Sequence, residues 1–120
     1  MQPSDLPARI TLSRVKGWRL QDVAPGAVKV DRTTIWGNPF TIQDAREAGY
    51  KGDDAALADM CVRSFGQWLQ WPHFWTGPES ERRRAAILSA LPTLRGKPLA
   101  CWCKPGCPCH ADILLRLANG

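Results

Sequence analysis

Hydrophobic and polar positions alternate over Arg9-Ile-Thr-Leu-Ser-Arg-Val15, a run rich in β-branched residues that predicts a strand. The stretch from Gly17 to Gly26 breaks the alternation, carries Pro25-Gly26 and reads as a loop. Ala27-Val-Lys-Val-Asp31 alternates again and predicts a second strand. The period then lengthens. Thr41 to Ala48 is expected to form a short helix, with Thr41 as its N-cap, Asp44 three residues on, and Gly49 at its end. A longer helix is expected from a cap at Asp53 or Asp54 to about Gln70. Its Leu57, Met60, Cys61, Phe65, Trp68 and Leu69 recur at three- and four-residue spacing, which marks a buried stripe. Cys61 lies on that stripe and reads as a small core residue. Pro72 stops the helix, and Trp71, His73, Phe74 and Trp75 are expected to form an aromatic knot.

Pro78 suits the first turn of the next helix, Glu79 to about Leu91, with Glu79 and Glu81 near its positive end and Pro92 after it. The apolar run Pro98 to Trp102 predicts a third strand. The chain then turns through Lys104-Pro-Gly106 and enters a last helix, opened by Cys109-His-Ala-Asp112 and continued through Ile113 to Asn119. The order is β-β-loop-α-α-β-α, without internal repeats or linkers. It predicts an α/β fold: one small domain over residues 1–120, with residues 1–8 as a loose tail and a central, mostly parallel sheet flanked by helices.

A chain of 120 residues with 44% hydrophobic content is long enough for a real core. No apolar run reaches the roughly 18 residues that span a bilayer. Met1-Gln-Pro-Ser-Asp-Leu-Pro7 lacks the basic start and apolar stretch of a signal peptide. Five cysteines, an odd and clustered set, then point to reduced or metal-bound thiols and a cytoplasmic location. The formal net charge of +5 favours anionic partners such as nucleotides, nucleic acid or phosphorylated metabolites. The one basic run, Arg82-Arg83-Arg84, follows two glutamates and reads as a solvated helix face.

The chemistry concentrates between Cys101 and His110. Cys101 and Cys103 stand two apart at a strand end, so their side chains share one face and Trp102 is expected to turn into the core. The Pro/Gly turn brings Cys107 and Cys109 back toward them. One reading is a zinc site of Cys101, Cys103, Cys109 and His110, since zinc takes four such ligands in a tetrahedron. The C-x-C-x3-C-x-C-H spacing is not that of paired C-x2-C knuckles. A second reading is catalytic: Cys109 near a helix N-terminus gains thiolate character, His110 supplies acid or base, and Asp112 sits in the first turn. The third is an inert cysteine-rich turn.

Arg32-Thr-Thr-Ile-Trp-Gly-Asn-Pro-Phe40 also follows a predicted strand. If the two strands are parallel neighbours, both loops emerge at one sheet edge and build one pocket. Trp36 would then offer a stacking face, Asn38 a donor and an acceptor, Arg14 and Arg32 phosphate contacts, and Cys103 a polar wall. Gly37 is expected to supply either a positive φ or a close backbone approach. The plain alternative makes Trp36 and Phe40 core anchors around a structural Asn38-Pro39 turn.

The Arg32–Phe40 segment, the Phe65…Trp68-Leu69 helix, Leu94-Arg-Gly-Lys-Pro-Leu-Ala-Cys-Trp-Cys103 and Cys109-His-Ala-Asp-Ile-Leu114 together resemble the family known as domain of unknown function 4326, a small domain found in bacteria and their phages. The resemblance runs from about Ile10 to Asn119. It implies a compact cytoplasmic α/β domain and supplies no established reaction. The family pattern has a shorter turn before its Cys-His pair. Gly106-Cys107-Pro108 fills that turn here, so Cys107 is the least secure member of any site.

The function expected from these residues is binding of, or action on, a nucleotide, nucleoside or nucleic-acid-derived ligand in one polar pocket. An enzyme of this kind would be a hydrolase or transferase at a nucleoside or phosphoribosyl centre. Two rivals stand beside it. One is a structural zinc module. The other is an accessory protein that binds nucleic acid through Arg82 to Arg84 and the Trp71–Trp75 knot.

Overall fold

Three short parallel strands organise the described residues: β1, Arg9–Thr11; β2, Val28–Lys29; and β3, Leu99–Cys101. In the computed structural model, which describes residues 6–71, 73 and 75–120, their order is β1-β3-β2. Arg9 stands opposite Leu99 and Thr11 opposite Cys101, while Val28 also stands opposite Leu99. Flanking residues lengthen the ladder. Leu12 donates to the Cys101 carbonyl at 2.8 Å and Val30 to the Ala100 carbonyl at 2.8 Å. With a neighbour on each side, β3 is buried at every position, which is why its sequence is apolar rather than alternating. The alternation after Thr11 has no partner to pair with, because β3 ends at Cys101 and turns away. Val15 is accordingly exposed.

Among the described residues five α-helices accompany the sheet: α1, Leu20–Val23; α2, Ile42–Glu47; α3, Asp54–Gln70; α4, Pro78–Ala90; and α5, His110–Asn119. The capping residues act as their chemistry dictates. Thr41 Oγ1 accepts from the Asp44 N–H at 3.0 Å, and Asp53 Oδ1 accepts from the Ala56 N–H at 2.8 Å. Helix α1 lies inside the stretch expected to be a loop. It is a single turn that buries nothing, held by Gln21, whose amide donates to the Ala27 carbonyl and whose oxygen accepts from the Gly26 N–H. Pro92 does not end the helical path at once, because a 3-10 turn continues through Leu91–Leu94. Pro72 and Phe74, invoked for the end of α3 and for the aromatic knot, lie outside the described residues, as do residues 1–5 of the expected N-terminal tail.

The buried stripe of α3 meets α5 and the sheet in one core cluster that includes Phe65, Trp68, Leu69, Leu99, Cys101, Cys109 and Leu114. Cys61 is buried on that stripe, as expected. Trp75 stacks on Trp68 of α3 with ring centroids 5.3 Å apart, whereas Trp71 is exposed and does not share that contact. Among the described residues no helix is long and apolar enough to cross a membrane.

Candidate functional site

Each strand of a parallel sheet delivers its following loop to the same edge, and here those loops are fastened to one another. After β2 comes Asp31, buried. Its Oδ1 accepts from the Thr33 hydroxyl at 2.5 Å and the Thr33 N–H at 3.1 Å. Its Oδ2 accepts from the indole N–H of Trp102, just past β3, at 2.9 Å, and Lys29 Nζ lies 3.5 Å away. After β1 comes Arg14, whose guanidinium sits over the Trp102 ring at 4.1 Å. Burial alone would raise the Asp31 carboxyl pKa. The Thr33 and Trp102 hydrogen bonds and the Lys29 charge outweigh it and hold the group below its ordinary value. Trp102 is therefore a 40% exposed rim residue and not the core residue expected from strand alternation. The strand ends one residue before it, so the alternation no longer applies.

Behind this rim lies a cavity of about 370 Å³. Its polar lining comes from Asp31, Arg32, Thr33, Asn38 and His110, together with the thiols of Cys61, Cys101, Cys103 and Cys109. Ile42, Ala58, Val62 and Pro108 supply apolar wall. The expected adjacency of the two loops is thus present, and Asn38 and His110 share the cavity. Arg32 is exposed, and one of its nitrogens donates to the Asn38 carbonyl at 3.1 Å. Asn38 is engaged in the fold: its amide donates to the Cys61 carbonyl at 3.0 Å and its oxygen accepts from the Phe40 N–H at 2.9 Å.

Four of the expected residues lie elsewhere. Trp36 is buried in the core cluster, so its ring is no stacking face for a ligand. Gly37 packs against the backbone of Arg32, where a Cβ would come within 2.7 Å of the Arg32 Cα. This is the close-approach reading, without a positive φ. Arg14 covers Trp102 outside the cavity lining. Asp112 is turned away from the cavity and pairs with Arg9 at 3.0 Å. An acid or base role for Asp112 at the thiols is not supported by that position. What the sequence reading missed is Asp31 with Trp102, and Arg9. The Arg9 guanidinium also donates to the Cys107 carbonyl at 2.8 Å and the Lys104 carbonyl at 3.1 Å, which pins the cysteine turn to β1. The cation at the head of an apolar strand was the available signal.

The thiols of Cys101, Cys103 and Cys109 converge, with all three sulfur atoms within 4.8 Å of one another. Cys101 comes from β3, Cys103 from just beyond it, and Cys109 is the N-cap of α5, its sulfur accepting from the Ala111 N–H at 3.5 Å. Cys107 is exposed and stands apart. Three adjacent thiols share charge unequally. The neighbouring Cys101 and Cys109 thiols lower the Cys103 pKa, so Cys103 is the thiol favoured to ionise. Its place beside the Cys101 and Cys103 sulfurs, together with burial, pushes the Cys109 thiol up. The helix N-terminus is thus opposed at Cys109 by its thiol neighbours, and the thiolate is favoured at Cys103. His110 Nε2 lies 2.5 Å from the Val30 carbonyl, which requires the N–H there and leaves Nδ1 as a lone pair, 3.7 Å from the Cys109 sulfur. Burial lowers the His110 pKa.

These exposures and charges set an order of reactivity. Limited alkylation of reduced, chelator-treated protein at neutral pH should label Cys103 and the exposed Cys107 first, with Cys61, Cys101 and Cys109 slow. Peptide mass mapping reads the order; early labelling of Cys109 would contradict the assignment.

The basic run is divided among internal partners. Arg82 pairs with Glu79, Arg83 lies over the Trp75 ring at 5.9 Å, and Arg84 donates to the Trp68 and Leu69 carbonyls at the end of α3.

Parallel strands, loops joined at their carboxyl ends and a thiol-floored cavity between those loops define a small α/β domain with a pocket at the carboxyl edge of its sheet. The chain belongs to the family described as domain of unknown function DUF4326, which matches residues 10–120, nearly its whole length. Nothing matches it among curated proteins or among solved structures.

Proposed function

We propose that this domain binds a small ligand of the nucleoside or nucleotide class in the cavity between the Asp31–Asn38 loop and the Cys101–His110 turn. The observation that carries the reading is the lining itself. A mainly apolar wall takes a flat ring, and Arg32 stands at the rim with guanidinium N–H groups beyond the one given to the Asn38 carbonyl. The volume falls in the range of small-molecule sites. The location over the carboxyl ends of parallel strands is where α/β sheets bind ligands. Arg32 is the phosphate contact in this reading, and the exposed edge of Trp102 borders the entrance. A nucleic-acid surface built on Arg82 to Arg84 is the weaker proposal, since each of the three already has a partner within the chain.

Calorimetric titration with a panel of nucleosides and nucleoside monophosphates tests the reading. At least one member should bind, and Arg32→Ala should weaken a monophosphate by roughly 10- to 100-fold, the worth of charge-assisted hydrogen bonds, while leaving the matching nucleoside nearly unchanged. Absence of binding across the panel at millimolar concentration would remove the proposal.

A further inference from the structure

We infer that Cys101, Cys103 and Cys109 form a binding site for one thiophilic divalent cation of the zinc class, with the fourth coordination position open to the cavity. The three sulfurs already lie within 4.8 Å of one another. A tetrahedral ion with metal–sulfur bonds of about 2.3 Å would set them about 3.8 Å apart. Cys101 and Cys109, now 2.8 Å apart, would spread by about 1 Å, a side-chain adjustment at that metal–sulfur length. The unusual C-x-C-x3-C-x-C-H spacing is no obstacle in this fold. The ligands come from a strand end and a helix cap rather than from two knuckles, and Cys107 is simply left outside.

The site is built rather than incidental. Arg9 holds the turn through the Lys104 and Cys107 carbonyls, and Thr11 Oγ1 donates to the Cys103 carbonyl at 2.9 Å, so both arms of the turn are tied to β1. Cys101 and Cys109 are almost wholly buried, where a pair of facing thiols gains little beyond what any small apolar side chain would give. An ion replaces those weak contacts with three metal–sulfur bonds. Coordination releases the three thiol protons to solvent, and three thiolates with a dication leave one negative charge, favoured by the N-terminus of α5 that Cys109 caps.

His110 does not join the three-sulfur group among the described residues. Its ring is fixed by Nε2–H to the Val30 carbonyl and by an edge contact with Phe65 at 5.6 Å. The Nδ1 lone pair stays beside the site, able to accept from a water or ligand group on the ion. Three protein ligands and one open position facing a cavity is the arrangement of a site that meets substrate, unlike the closed four-ligand site of a structural zinc. This inference does not depend on the identity of the organic ligand.

The test is metal binding by the reduced full chain after chelator treatment. Zinc, measured against a chromogenic competitor, should bind at one ion per chain. Cobalt should give an intense thiolate charge-transfer band with tetrahedral visible absorption, and azide should shift that visible spectrum by entering the open position. Cys103→Ser should lower affinity by at least roughly 100-fold, beyond the cost of losing an outer partner. Cys103 is half-buried, so this variant is checked for native circular dichroism. Cys107→Ser should retain wild-type affinity. Binding well below one ion per chain, an equal loss in the Cys107 variant, or a cobalt spectrum insensitive to azide would each overturn the inference. Cobalt binding by a chain that takes no nucleoside or nucleotide would leave it standing and sink only the ligand proposal.

Discussion

Gly37→Ala is expected to destabilise the protein by about 2–3 kcal/mol, the cost of overpacking a site that cannot yield. The new Cβ would meet the Arg32 Cα at 2.7 Å and the Arg32 carbonyl carbon and Asp31 oxygen at 3.3 Å, all of them backbone. The loop cannot give way cheaply. Thr34 is tied to the Asp31 carbonyl through both its N–H and its hydroxyl, and the Gly37 N–H returns to the Thr34 carbonyl at 3.2 Å. The strain falls on the segment that carries Arg32, so any cavity ligand should bind more weakly in the surviving folded fraction. Urea denaturation measures the first effect through the midpoint at unchanged slope. A loss under 0.5 kcal/mol would mean that the loop is looser than its contacts imply.

Trp68→Ala should cost more, about 3–5 kcal/mol for a large ring removed from a full core. Its ring is stacked on Trp75 and meets Phe40 edge-on at 5.9 Å. Its indole N–H donates to Ser80 Oγ at 2.8 Å, and that hydroxyl, wholly buried, donates to the Trp75 carbonyl at 2.7 Å. Trp68→Phe separates the two contributions. It keeps most of the ring and leaves Ser80 its Trp75 partner, so it should cost clearly less than the alanine variant in the same urea titration. Equal losses for the two variants would show that the hydrogen-bond chain, not ring volume, dominates.

Much of the fold was legible because local chemistry and tertiary need agree. The period of Leu57 to Leu69 located α3, and Thr41, Asp53 and Cys109 each sit at the N-cap where a short polar or thiol side chain belongs. The adjacency of the two loops followed from reading β2 and β3 as parallel neighbours, which they are. What failed were inferences that needed a contact partner. Trp102 was assigned by alternation to the core, but alternation holds only within a ladder, and Asp31 draws the indole outward. Trp36 takes its core-anchor alternative rather than the stacking role, and Asp112, read for acid or base work, is claimed by Arg9 from the far end of the chain. Cys109 was given thiolate character from the helix end and the neighbouring His110, and two adjacent thiols oppose it.

The order β1-β3-β2 has a consequence for how the chain reaches this state. Both outer strands lie in the first thirty residues, and the strand that joins them begins only at Leu99. During synthesis β1 and β2 therefore wait unpaired while α3 and α4, whose contacts are local, are already made. Loop closure over some seventy residues must precede any sheet hydrogen bond, which places sheet formation late and makes folding slower than helix content alone would indicate. The cysteine turn is clamped by Arg9 only after that closure. A nascent chain halted before Leu99 would expose two unpaired strands with no template, the condition in which intermolecular pairing competes with folding.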